Sequence, residues 1–159
     1  MTAEPPHLAR LARKRMAAGA LFFDMNGLLL LVKPTYRPEW LIPGGSVEAD
    51  ESPYACCVRE VREELGLLLP IGRMLCVDYC SAEPHKSESL QFIFEGGVLD
   101  AERVAQITLP VDELSAWRFV AAEEASELLA PRLARRVMLA IAACHEQRTI
   151  YAEDGVEVP

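Results

Sequence analysis

Along the chain the spacing of apolar positions switches between strand and helix periods, and the switches mark the elements. Two apolar runs, 17–23 and 28–33, are parted by Asp24-Met25-Asn26-Gly27. Their length suits strands, and the Asn-Gly pair predicts a tight hairpin turn. A loop at 34–38 follows, bounded by prolines, then a short strand at 39–42 that runs into Pro43-Gly44-Gly45. From Ser52 the period lengthens. Tyr54, Val58, Val61 and Leu65 recur at helical spacing and predict a helix with that stripe towards the core. Ser52 suits the N-cap, Pro53 the first helical position and Gly66 the left-handed stop. Strands at 71–79 and 88–99 come next, separated by a polar loop at 82–87, with Gly96-Gly97 predicting a bulge. Segments 104–109 and 117–120 read as further short strands. Helices at about 122–129 and 132–147 are parted by Pro131, and 148–159 reads as a polar tail.

Strands on both sides of one helix, then a helical run, indicate an α/β chain with a mixed sheet covered by helices. No repeat and no linker divides the sequence, so 1–159 is expected to form one domain, with a basic arm at 1–15.

The helix carries the first chemistry. Glu60, Glu63 and Glu64 stand at i, i+3 and i+4, within an arc of about 100° on the side opposite the apolar stripe. Like charges so placed destabilise an isolated helix by about a few tenths of a kcal/mol per pair. A hard divalent cation would remove that penalty, since Mg²⁺ takes oxygen ligands from a few carboxylates plus substrate phosphates. The competing reading is a solvated acidic face balanced by Arg59 and Arg62. Upstream, Gly44 and Gly45 let the backbone turn sharply and approach a ligand, and Glu48, Asp50 and Glu51 make an acidic turn. No paired Ser/His or Cys/His motif accompanies the carboxylates, which favours hydrolysis by activated water over a covalent intermediate.

Composition narrows the partners. The chain is 51% hydrophobic and 25% charged, a globular balance. Its net charge of −8 argues against long nucleic acid as a partner. It does not exclude a phosphorylated small molecule whose charge is met by metal ions. The five cysteines form no C-x-x-C pair and are odd in number, so free thiols in a reducing cytosol are expected. His7, Arg10, Arg13, Lys14 and Arg15 precede an apolar stretch at 16–32, the order of a signal peptide. Asp24, Asn26 and Gly27 interrupt that stretch, so no targeting or membrane segment is expected. A cytoplasmic monomer or homodimer is the resulting expectation.

Taken together, the spacing is Gly45, five residues, Glu51, seven residues, Arg59-Glu60-Val61, one residue, Glu63-Glu64, one residue, Gly66-Leu67. It resembles the signature of the Nudix hydrolases (MutT-like) without gap or exception, and the preceding Trp-Leu-Ile-Pro-Gly is similar to the family as well. The resemblance implies an α/β/α sandwich in which the signature forms a loop, helix and loop. It implies hydrolysis of a nucleoside diphosphate linked to another moiety, such as a nucleotide sugar, an ADP-ribose-like compound or a nucleoside triphosphate. Mg²⁺ is the implied cofactor, with Mn²⁺ as a substitute. Carried over by position, Glu60, Glu63 and Glu64 form the main metal set, joined by the Gly44 carbonyl and Glu51. Glu51 and Arg59 pair to hold the loop against the helix, and Gly45 is structural.

The general base differs among relatives. Glu113, beside Asp112, matches the place where some of them carry it, and Glu88 and Glu95 are the other candidates. Glu60 and Glu63 complete the catalytic set. Tyr36, Arg37, Trp40 and His85 are candidates for binding a purine, with Tyr79 and Phe92 behind them. Ser46 stands where oxidised-dGTP hydrolases often have lysine, and Pro84 lies near a proline typical of ADP-ribose hydrolases. The alternative from another class is a non-catalytic nucleotide-binding or sensor module, which would usually lack signature carboxylates.

Overall fold

The computed structural model describes residues 5–159, so the first four residues of the basic arm lie outside the described residues. Among the described residues eight strands form one mixed sheet in the order β6-β2-β1-β5-β4-β7-β8, with β3 also pairing β1. β1 (Arg15–Phe23) and β2 (Leu29–Pro34) follow the predicted hairpin, and Asp24 Oδ1 accepts from the backbone of Asn26 and Leu28. β1 is buried on both faces, as a central strand with a continuous apolar run should be. Ala18, Ala20, Phe22, Leu30 and Val32 face α1 (Pro53–Leu65); Leu21, Leu29 and Leu31 face α3 (Ala122–Leu128) and α4 (Pro131–His145). Helices therefore cover both faces, and the expected α/β sandwich is observed.

Three segments depart from the sequence reading. The short strand expected at 39–42 makes only isolated bridges, Val32 to Leu41 and Trp40 to Leu129. The strand is instead β3 (Gly44–Ser46), and it runs antiparallel to Ala17–Gly19 of β1. β2 pairs with β1 only at Phe23 and Leu29, so the two strands splay and β3 fills the gap. Glycines suit this position because they bring no side chains into it.

The strand expected at 104–109 is not formed. Asp100 caps α2 (Ala101–Ala105), its side chain accepting from Arg103 N at 2.9 Å. The cap and the helix-forming Ala-Glu-Arg outweigh the apolar alternation that follows. Thr108 N then donates to Leu65 O at 2.9 Å, tying the next loop to the end of α1.

The polar tail is a hairpin. β7 (Ile150–Glu153) runs parallel to β4 (Met74–Cys80), and β8 (Val156–Glu157) folds back on it. Ile150 and Ala152 are buried while Tyr151 and Glu153 face out. Asp154-Gly155, both with positive φ, turn the chain. That pair is the same kind of signal as Asn26-Gly27, and it was readable from the sequence. The bulge at Gly96-Gly97 is present: β5 (Ser89–Val98) shifts register against β1 between Leu21 and Phe22.

Candidate active site

α1 begins and ends as its sequence dictates. Ser52 accepts from Ala55 N at 3.1 Å, and Gly66, at φ 68°, donates to Arg62 O. Its buried face is Cys56, Cys57, Val61, Glu64 and Leu65. This corrects the expected stripe. Tyr54 is exposed at the helix start, where its hydroxyl donates to Ile71 O, and Val58 is only half-buried. It also means that Glu64 does not share an open face with Glu63. Glu63 is exposed, Glu60 half-buried, and Glu64 only 8% exposed.

Glu64 points at β3. Its Oε2 accepts from Gly44 N at 2.8 Å. Gly44 has φ 149°, and a Cβ there would stand 2.3 Å from Ala18 O. At Gly45 a Cβ would stand 2.3 to 2.5 Å from the Glu60 carboxylate. Both positions require glycine, one for the backbone and one to leave room for a carboxylate.

Arg59 organises the other acids. It takes Glu51 in a two-point contact, Nε to Oε1 at 2.8 Å and Nη2 to Oε2 at 2.9 Å. Its Nη1 reaches Glu60 at 2.7 Å and Glu63 at 3.1 Å, and Nη2 donates to Ser46 O at 3.2 Å. The expected Glu51–Arg59 pair is therefore formed, and it ties the acidic turn and β3 to the helix. Arg59 beside Glu51 holds that carboxyl down at about 2. Burial pushes Glu64 up to about 8, with Glu60, Glu113 and Glu63 adding repulsion. Burial also raises Glu60.

The donor set suits a hard cation in kind: carboxylates, with backbone carbonyls from the glycine strand beside them. It is not preassembled. Among the described residues no three carboxylate, imidazole or thiolate groups already converge as metal ligands. Arg59 contacts both Glu60 and Glu63.

The remaining candidates divide. Glu113 lies before β6 (Leu114–Val120), exposed, and its charge acts on both Glu60 and Glu64. Glu88 is instead engaged by Lys14 and Tyr79, and Glu95 lies by Arg73 and the Cys144 thiol on α4. Tyr36 and Phe92 line a cleft of about 200 Å³ with Gly44 and Gly45. Arg37 lines an adjoining cleft of about 510 Å³. Trp40 does not join them. It packs against the α4-side core, with the Arg118 guanidinium 4.8 Å from its ring centre. His85 sits in an exposed turn and lines neither cleft. A wider hollow of about 700 Å³ lies over Tyr54, Val58 and Leu68 on the outer flank of α1 and reaches Arg59 and Glu63. Sequence reasoning missed Gln91 and Arg136, which line both clefts, because their strand and helix meet only in the folded chain.

A family model, the NUDIX domain, matches residues 13–140. Diphosphoinositol polyphosphate phosphohydrolase 3-alpha from Homo sapiens is 39% identical over 73 residues, covering 45% of this chain and 44% of that protein. The match thus spans less than half of that relative's length. Among solved structures, a UDP-X diphosphatase superposes with a TM-score of 0.72 at 19% identity, over 92% of this chain and 70% of that one. The MutT protein from Methanosarcina mazei Go1 gives 0.67 at 24% identity, over 86% and 96%. At these identities the two structures establish likeness of fold. Among the described residues no helix is long and apolar enough to cross a membrane.

Proposed function

The chain belongs to the NUDIX domain family, and from that membership we propose that it is a Mg²⁺-dependent pyrophosphohydrolase. Its substrate would be a diphosphate joined to another moiety, a nucleoside diphosphate derivative or a nucleoside triphosphate. The observation that carries this reading is the closure of the signature on itself: Glu64 bonded to Gly44, and Arg59 spanning Glu51, Glu60, Glu63 and Ser46.

Glu60, Glu63 and Glu64 would hold the cation, with the Gly44 carbonyl and Glu51 beside them. When bound, the cation supplies charge neutralisation at the anhydride oxygens and stabilises the departing phosphate. Gly44 and Gly45 let β3 lie against β1 and leave room for the Glu60 carboxylate. Arg59 ties β3 to α1 through Ser46 O and Glu51, and a cation held by Glu60 and Glu63 would supply positive charge where Arg59 now supplies it. Glu113 is the proposed general base, taking a proton from the attacking water. Its electrostatic coupling to Glu60 and Glu64 supports that placement. The setting is a reducing one, cytoplasmic, in keeping with five free thiols, and the protein acts as a monomer or homodimer.

The test is a panel of nucleoside diphosphate derivatives and triphosphates, assayed with Mg²⁺, with Mn²⁺ and with EDTA. Release of a nucleotide or phosphorylated product that EDTA abolishes and Glu63→Gln suppresses is the expected result. Full turnover in EDTA, or wild-type turnover by Glu63→Gln, would overturn the reading.

A further inference from the structure

The cleft of about 510 Å³ is of the size that takes a small molecule. Its lining is unexpected in a chain of net charge −8. Arg15, Arg37, Lys86, Arg132 and Arg136 border it, against Glu83 as the acid, and no aromatic ring is among the lining residues. Several of these cations are steadied from outside the cleft. Arg37 pairs with Glu39 at 3.1 Å, and Arg132 reaches Asp154 at 3.1 Å as well as Glu83 at 3.2 Å. Glu39 and Asp154 are not lining residues.

Arg136 forms the floor. It is 7% exposed, and two of its nitrogens are fixed: Nε donates to Asp78 Oδ2 at 2.8 Å, and Nη2 contacts Cys80 Sγ at 2.9 Å. Asp78 is fully buried, and its other oxygen accepts from Gly155 N at 3.0 Å. Among the described residues Nη1 meets no acceptor. No buried side-chain nitrogen or oxygen among them lacks a partner, so Nη1 keeps an open side, and the surfaces that Arg136 lines are this cleft and the smaller one beside it. A guanidinium already immobilised by folding loses little further freedom on meeting an anion. The low dielectric around it strengthens the contact. Arg136 also borders the smaller cleft at Gly44 and Gly45, so it lies between the basic cleft and the glycine strand that Glu64 bonds.

We propose that this cleft binds the uncleaved part of the substrate, that this part carries further phosphate groups, and that Arg136 is the residue that selects it. The link to cleavage rests on the hydrolase reading above; the anion site itself does not. The two halves of the substrate would then meet opposite environments, the anhydride at the carboxylates with their cation and the remote phosphates at the arginines. A nucleobase in this cleft would find no ring to stack on and no charge to offset the cluster of cations.

The experiment is calorimetric titration of the full chain with inositol hexakisphosphate, a compact polyanion without an anhydride, in EDTA and at two salt concentrations. Wild type binds, and more weakly at high salt. Arg136→Lys, which keeps the charge and loses the fork, weakens binding roughly tenfold or more. Lys86→Ala and Arg37→Ala each weaken it about two- to fivefold. AMP binds far more weakly than the polyanion. A thermal melt checks that Arg136→Lys folds, and if it does not, the two rim variants decide. No metal-free binding, binding unchanged in the rim variants, or equal binding of AMP would overturn the proposal. Glu63→Gln separates the two readings: it keeps polyanion binding while losing hydrolysis. Binding with this mutational pattern but no hydrolysis of any anhydride would sink the hydrolase reading alone.

Discussion

Glu64→Gln tests the site through folding stability rather than turnover. Glu64 is buried against Gly44, and its carboxyl is raised from 4.5 to about 8. Below pH 4.5 it is neutral both folded and unfolded, and burial costs no ionisation energy. Between pH 4.5 and about 8 the unfolded chain releases the proton while the folded chain keeps it, so stability falls as pH rises. Above about 8 the loss levels off. At 1.36 kcal/mol per pKa unit the full shift sets an upper bound of about 5 kcal/mol. Local relaxation reduces this, and a loss on the order of 2 kcal/mol is expected. Glu51 has the opposite sign. Held at about 2 by Arg59, it contributes stability above pH 4.5 that is lost as pH falls towards 2, so the two windows do not overlap.

The assay is urea unfolding in EDTA at pH 5 and pH 8. Metal-free wild type should lose stability between the two. Glu64→Gln, which cannot ionise, should lose less by that difference and should exceed wild type at pH 8. Adding Mg²⁺ at pH 8 should stabilise wild type more than the variant, because a ligand of the folded state raises stability with its concentration. Parallel pH curves for the two proteins would refute the reasoning, since they would mean that Glu64 is not the buried acid.

Other perturbations should behave differently. Arg59→Ala releases Glu51, Glu60, Glu63 and Ser46 O together, so it should lower stability by about 1–2 kcal/mol and abolish most turnover, read by melts and by phosphate release. Gly44→Ala meets Ala18 O at 2.3 Å from a positive φ, so it should cost about 3 kcal/mol or more in the same melts. Asp78→Ala leaves Arg136 buried without its partner and should cost about 3–5 kcal/mol, seen in urea unfolding, although the residue lies outside the carboxylate cluster.

Much of the site was legible in local sequence because its parts are close along the chain. Ser52, Pro53 and Gly66 set the ends of α1 through backbone hydrogen bonds that any helix terminus must satisfy. With those ends fixed, the spacing of Glu60, Glu63 and Glu64 follows from helix geometry, and the pairing of Glu51 with Arg59 needs only one turn of loop. Asp154-Gly155 is an equally local signal, and it turns the 148–159 segment into a hairpin. Which carboxylate is buried was not legible, because β1 and β3 rather than helix periodicity decide it. Tyr54 has the right spacing for the core yet sits at the helix start, half of it exposed and its ring edge-on to Phe94, while Glu64 lies where Gly44 N needs an acceptor. The insertion of β3 beside β1 accompanies the splaying of β2, which pairs with β1 only at Phe23 and Leu29, and this pairing of segments distant in the chain is not written in any one residue. Arg136 shows the same limit most clearly. In sequence it is one of two adjacent arginines, Arg135 and Arg136, on a C-terminal helix. It acquires a buried partner and an open face only because α4 packs across β4, 58 residues away in the chain from Asp78. Contacts within a turn or two are set by the local chain, whereas burial and the meeting of distant side chains are set by how the layers pack.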